Sequence, residues 1–259
     1  MAPRLRSRNI GRKHPMTDRI AEWSPRRIAR ICGLLYLVEI AAHGYGMLAL
    51  SSLMVGDDAA ATATHILASE RVFRLGFTAD VVGIAAYVGV TALLYVLLEP
   101  VSRRLSLFAA FFSLAGCAVF AANLVNHLAP LFLLGGAGHS TALGADQLQT
   151  LALISLKLYG QGFAISMVFF GCYCLSLGYL IWRSTFLPRL LGPLLALAGA
   201  GYLINSFTGF LSTTFLTHRL SVILLAPGTA EVVLCLWLLV VGVHAARWQQ
   251  QAATTVREA

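Results

Sequence analysis

The sequence predicts an all-α protein, a polytopic transmembrane bundle of six helices with a short amphipathic helix on its outer face. Hydrophobic residues make up 58% of the 259 positions and charged residues only 12%, whereas soluble domains are usually about a quarter charged. A spanning helix needs roughly 20 apolar residues. Six stretches meet this requirement, and they lie at 28–50, 77–98, 105–130, 158–182, 189–211 and 221–245. Short loops join them, so residues 26–246 form one transmembrane domain.

A tail is predicted on either side of this domain. Residues 1–25 are basic and lack the apolar core of a signal peptide, so we expect a disordered tail. Met16 is an alternative start, and a tail lying on anionic lipid is an alternative role. Residues 247–259 are expected to form a short cytoplasmic tail.

The loops contain helix signals of their own. Asp57 and Asp58 are good helix N-terminal residues, and 59–74 is expected to form the amphipathic helix. After a glycine-rich bend in the 131–148 loop, a helix starting at Asp146 is expected to continue into the fourth span. Pro188, in the turn before the fifth span, favours a helix start.

The net charge of +8 comes from basic residues whose positions indicate membrane topology and not a surface that binds nucleic acid. Nine of the 19 basic residues lie in the first 30 positions. Alternation of six spans places one group of arginines on a single side: Arg26, Arg27, Arg30, Arg103, Arg104, Arg183, Arg189 and Arg247. The other side has only Arg71, Arg74 and Arg219. The positive-inside rule therefore predicts a multi-pass protein of the cytoplasmic membrane with both termini in the cytoplasm.

The five cysteines all lie within predicted spans, at positions 32, 117, 172, 174 and 235. An odd number of cysteines inside a bundle does not form a disulfide framework. Small packing residues are the expected role.

Several segments resemble a known family. They are "RIARICGLLYLVEI", "DDAAATATHILASERVFRLGFTADVV", "LLYVLLEPVSRRLSLFAAFFSLAG", "VFFGCYCLSLGYLIWRSTFLPRLLGPLLALAGAGYLINSF" and "LLAPGTAEVVLCLWLLVVG". Together they are similar to a bacterial family of six-span integral membrane proteins that is catalogued only as a domain of unknown function. The resemblance covers roughly residues 27–243. It implies a fold and a location and carries no activity.

Polar residues of the predicted spans collect from the middle of the bundle outward. A helix rises 1.5 Å per residue, which places Glu39 about 14 Å and Glu231 about 24 Å from the cytoplasmic end of their spans. Charged groups in contact with lipid are costly, so these groups should face inward. We expect a polar cavity in the outer half, closed toward the cytoplasm. Its candidate lining residues are Glu39, His43, Asn123, Asn126, His127, Gln161, Asn205 and Glu231.

Glu39 and His43 are four residues apart and can touch on one helix face. We expect His43 to hold Glu39, so that the pair shares one proton and acts as a switch. A neutral hydrogen-bonded pair that only fixes the helix is the alternative. Glu231 follows Pro227 and Gly228, where a bend would free backbone carbonyls. The asparagines could simply join helices, and Asp80 and Lys157 could lie in the wet interface.

Three functions remain open from the sequence. The first is binding of a small amphipathic or lipid-like ligand without chemistry. The second is an intramembrane enzyme acting on a lipid-soluble substrate such as a prenyl chain, with Glu39 and Glu231 as acid and charge stabiliser. The third is a proton-coupled transporter. Soluble-enzyme motifs are absent from the sequence, and we predict no metal and no cofactor. Expected partners are membrane lipids, the ligand and another copy in a homo-oligomer, with no nucleic acid.

Overall fold

The computed structural model describes residues 24–135, 143–211 and 225–258. All regular secondary structure in these ranges is helical, which confirms the predicted all-α fold. The helices are α1 (Pro25–Leu53), α2 (Ala59–Ala68), α3 (Glu70–Leu98), α4 (Arg103–Leu134), α5 (Ala145–Arg183), α6 (Leu191–Leu211), α7 (Leu225–Val240) and α8 (Ala245–Glu258). The predicted disordered tail lies almost entirely outside the described residues.

Six of the helices close a ring. The helices α1, α3, α4, α5, α6 and α7 pack against one another in chain order, and α7 packs back against α1. One end of the ring, the terminal face, carries the start of α1, the turns at 99–102 and 184–190, and α8. The other end, the distal face, carries α2, which packs against α5.

The perimeter of the ring is apolar. Large hydrophobic side chains point outward on separate helices, with Leu48 67%, Val125 71% and Leu197 66% exposed. Surface of this kind is stable against lipid and would aggregate in water. By length and composition α1, α3, α4, α5 and α6 can each cross a membrane, and the bent pair of α7 and α8 passes the same test jointly. The chain is a multi-pass membrane protein.

Helix boundaries differ from the sequence prediction on the distal face. The predicted 59–74 helix ends at Ala68, because Ser69 leaves the helical conformation with φ −126° and ψ 37°. Helix α3 then begins at Glu70, so residues 70–74 belong to the second span. The expected continuous fourth element is confirmed, since α5 runs for 39 residues.

The end of the chain differs in its helix boundaries from the expected span to 245. Helix α7 ends at Val240, and Gly242 adopts a φ of +74°, which favours glycine. Helix α8 then leaves at 104° and lies across the terminal face. The Trp248 indole donates a hydrogen bond to the Leu97 carbonyl at 2.9 Å, and the Thr255 hydroxyl donates one to the Pro100 carbonyl at 2.7 Å. These bonds fasten the helix to the turn between α3 and α4.

The terminal half of the ring is packed without room for larger side chains at its α5–α6 contact. A Cβ atom on Gly178 would lie 2.6 Å from the Gly192 carbonyl oxygen, and one on Gly199 would lie 2.6 Å from the Gly171 carbonyl oxygen. Small residues of this kind let helix backbones approach closely in membranes. The interior beside them is filled by side chains that are at most 2% exposed: Leu94, Leu97, Leu98, Tyr173, Leu177, Leu180, Ile181, Leu195, Leu234 and Leu238.

Candidate functional site

A cavity of about 270 Å³ lies inside the ring. All six ring helices contribute to its wall, which consists of Glu39, His43, Asp80, Gly83, Ile84, Tyr87, Cys117, Phe120, Phe163, Met167, Phe170, Tyr202, Asn205 and Glu231. Tyr87 and Phe170 of the wall belong to the same buried cluster as apolar residues of the terminal half such as Leu94 and Leu177. The cavity therefore borders the apolar core of the ring.

The structure places the eight predicted site residues in two groups. Four of them line the cavity: Glu39, His43, Asn205 and Glu231. The other four, Asn123, Asn126, His127 and Gln161, are not part of its wall. Gln161 is exposed on α5, whereas His127 is fully buried.

The strongest polar cluster centres on Asp80 of α3. Its Oδ1 lies 3.0 Å from His43 Nδ1, and its Oδ2 lies 3.2 Å from His127 Nδ1. The Tyr159 hydroxyl donates a third hydrogen bond to Oδ2 at 3.0 Å. The side chains of Asp80 and His127 are 0% exposed, and that of His43 is 26% exposed at the cavity. One carboxyl group thus joins α1, α3, α4 and α5.

Glycines make the space for Asp80. A Cβ atom on Gly46 would lie 2.5 Å from Asp80 Oδ1, and one on Gly76 would lie 3.1 Å from the Ala49 Cβ. A Cβ atom on Gly83 would reach the backbone of α1 at Glu39 and His43. Because α1 and α3 approach closely at these positions, the Asp80 side chain is enclosed where the two helices cross.

Asn123 supports this cluster from outside the cavity. Its amide donates to the Tyr159 backbone carbonyl at 2.8 Å, and its oxygen accepts from Asn126 at 3.1 Å. The side chain rests against Gly162, where no Cβ atom could fit. The asparagines therefore join α4 to α5 and position Tyr159, which is the structural role that the sequence left open for them.

The expected Glu39–His43 pair is not what the structure shows, because His43 bonds to Asp80. Spacing along α1 allowed contact with Glu39, but it could not show that α3 brings a fully enclosed carboxyl group to the same imidazole. From the sequence, Asp80 could equally lie in the wet interface of the membrane. The signal that could have found it is the face Gly76, Asp80, Gly83, Tyr87, where two small residues flank an acid at helical spacing.

Besides Asp80, two acids line the cavity, Glu39 and Glu231. They differ in the hydrogen bonds that their carboxyl groups accept. Glu231 accepts hydrogen bonds from the Cys174 thiol at 3.4 Å and the Tyr202 hydroxyl at 3.3 Å. Among the described residues no hydrogen bond to the Glu39 carboxyl group is observed, although the two acids are close enough to interact electrostatically. The expected bend at Pro227 and Gly228 falls at the first described turn of α7.

Aromatic rings form much of the wall around these acids. His43 stacks on Phe163 with a centroid distance of 5.4 Å and meets Phe120 edge-on at 5.4 Å. Tyr87 meets Phe170 edge-on at 5.0 Å. The result is a mostly apolar chamber with a few polar groups, as is usual for small-molecule sites.

Metal binding and disulfide formation depend on how histidine, acid and cysteine side chains are grouped. Within the described ranges no three His, Cys, Asp or Glu side chains are arranged to hold a metal ion. All five cysteines are free, and Cys235 donates its thiol hydrogen to the Gly33 carbonyl at 3.4 Å.

Comparison with known proteins shows a family and no activity. An uncharacterized protein of Archaeoglobus fulgidus is 25% identical over 123 residues, which cover 48% of this chain and 60% of the archaeal protein. No solved structure matches the chain. The profile of a family described as a domain of unknown function, DUF4386, matches residues 31–242. The span of that match, together with the helical ring, shows that the chain belongs to the DUF4386 family.

Proposed function

We propose that the protein binds a small amphipathic or lipid-like molecule in the central cavity. The observation that supports this most directly is one chamber to which all six ring helices contribute. A ring of helices in lipid gains stability by packing, so a chamber of about 270 Å³ at its centre costs packing contacts. A bound molecule restores these contacts.

The membrane and the orientation belong to the same proposal. The arginines on the terminal face favour the cytoplasmic side of the bacterial cell membrane, which would place the cavity in the outer half. Reporter fusions at the C-terminus and at residues 136–142 test this. A cytoplasmic C-terminus with residues 136–142 on the outer side is expected, and the reverse assignment contradicts it.

Native mass spectrometry of the purified protein tests the binding. We expect a retained molecule that is not a bulk lipid of the host membrane. Ile84→Phe adds an aromatic ring to the cavity wall and should abolish retention. Ile165→Phe makes the same change at a lipid-facing position of α5 that is 46% exposed, and it should retain the molecule. Equal retention by both variants contradicts the proposal.

Proton transfer to the bound molecule is a second candidate, because Asp80 holds His43 at the cavity wall. The contact to Asp80 uses Nδ1, so Nε2 is the nitrogen left for exchange with a ligand. The acid–base pair of this reading is therefore His43 with Asp80, in addition to the Glu39 and Glu231 that the sequence suggested for an enzyme. Native mass spectrometry distinguishes binding alone from catalysis. If the protein only binds its ligand, His43→Ala should retain the same molecule as wild type. If the protein is an enzyme that uses His43, the variant should retain a different molecule.

Transport has less support. A substrate would have to pass the terminal half, where buried leucines such as Leu94, Leu177 and Leu238 fill the described interior. Membrane lipids are the expected partners at the perimeter, and association with a second copy is a further expectation.

A further inference from the structure

We infer that the molecule bound in the cavity is an organic cation, an amine that carries a compact apolar body. The inference rests on the proposed binding function and adds the chemical class of the ligand. It follows from the kinds of polar atom that the cavity presents.

The available polar atoms of the wall are mainly hydrogen-bond acceptors. The Glu39 carboxyl group has no hydrogen bond from the described residues, and Glu231 accepts one from the Cys174 thiol and one from the Tyr202 hydroxyl. His43 uses Nδ1 on Asp80, so Nε2 is the ring nitrogen that remains available to a ligand. Among the wall residues that the structure describes, Asn205 is the one with a side-chain amide, and none is a lysine or an arginine. A ligand rich in N–H donors matches this set.

The charge of the wall has the same sign. Three acids, Glu39, Asp80 and Glu231, line the cavity, and the Asp80 carboxyl group is already engaged by two histidines and a tyrosine. Neither Glu39 nor Glu231 forms a salt bridge among the described residues. Two facing carboxyl groups repel each other when both are ionised, and an ammonium or guanidinium group between them would remove that repulsion.

A second, independent observation comes from Tyr87. It belongs to the cavity wall and is 5% exposed, yet its hydroxyl has no hydrogen-bond partner among the described residues. Buried hydroxyl groups are normally paired, so an unpaired one beside a chamber points to a missing partner.

The aromatic wall suits the rest of such a ligand. Phe120, Phe163 and Phe170 present rings to the chamber, and the faces of such rings attract cations as well as apolar groups. A cation at Glu39 and an apolar body against these rings would occupy the cavity together.

Three matched probes test the inference: phenylbutylamine, phenylbutanol and phenylbutyrate. They share one apolar body and are a cation, a neutral molecule and an anion at pH 7. Titration calorimetry on the detergent-solubilised protein should show the amine binding at least about tenfold more tightly than the alcohol, with the acid weakest. Equal binding of amine and alcohol, or no binding of the amine, overturns the inference.

Variants separate this result from the proposed function. Glu39→Gln keeps the volume and removes the charge, so it should reduce amine affinity about tenfold and leave alcohol affinity unchanged. Glu70→Gln makes the same change at an exposed acid paired with Arg74, and it should change neither affinity. Ile84→Phe should weaken all the probes that bind. If Ile84→Phe releases the retained molecule but Glu39→Gln leaves amine preference intact, binding stands and the cation inference fails.

Discussion

The two halves of the ring are held together by different interactions. In the terminal half, leucines and glycines pack α5 against α6, with backbone atoms almost in contact at Gly178 and Gly192. In the distal half, Asp80 joins four helices through hydrogen bonds, and a cavity occupies the centre. The terminal half is therefore stabilised by close packing, and the distal half by hydrogen bonds between polar side chains.

This difference separates stability from binding. A closely packed helix pair tolerates little change in volume and offers no chemistry. A buried polar cluster is stabilising only when its members remain paired, and it gives the protein titratable groups at a defined place. The first half provides a rigid base on which the second can hold a chamber open.

The largest expected effect comes from removing the centre of the polar half. Asp80→Ala leaves the donors of His43, His127 and Tyr159 buried without an acceptor, which should reduce the free energy of unfolding by ~3–5 kcal/mol. Asp80→Asn keeps one acceptor and should lose less. Thermal unfolding in detergent measures both. The control Glu99→Ala changes an exposed acid on the terminal face and should be close to wild type.

Volume should matter most in the apolar half. Gly178→Ala places a methyl group against the backbone of α6, and we expect a loss of ~1–3 kcal/mol in the free energy of unfolding. Gly160→Ala on the same helix meets nothing within 4 Å, so it should be neutral or slightly stabilising. The comparison of thermal midpoints decides this prediction. Equal midpoints for the two variants would show that the α5–α6 contact has more room than described.

The smallest effect is expected at the distal surface. The Lys157 ammonium group donates a hydrogen bond to Asp57 at 2.6 Å, and this bond and then the ammonium charge lower the pKa of that carboxyl group. A lowered pKa stabilises the fold above the usual aspartate value of about 4 and loses that effect as the pH falls through the lowered value. Asp57→Asn should therefore change the midpoint only slightly at pH 7, and less in high salt. A large loss at pH 7 would show that this loop is structurally essential.

The sequence predicted the spans well because apolar length is a local property. It could not predict the bend at Gly242, since the break falls within one apolar run and depends on the contacts of Trp248 with α3. It also predicted that Glu39, His43 and Glu231 share a depth range, and the three residues lie on the wall of one cavity. It could not pair them, because the partner of His43 is 37 positions away on another helix. Depth is encoded along one helix, whereas pairing depends on how two helices are rotated.

The return of α7 to α1 has a consequence for biosynthesis. A ribosome delivers the spans from first to last, so five of them enter the membrane before Glu231 exists as a wall opposite Glu39. Until then the ring is open between α6 and α1, and Glu39 and His43 of α1 are not yet covered by α7. Newly inserted protein is therefore most vulnerable to quality-control proteases until α7 has packed against α1. Helix α8, fastened by Trp248, then covers the terminal face of the closed ring.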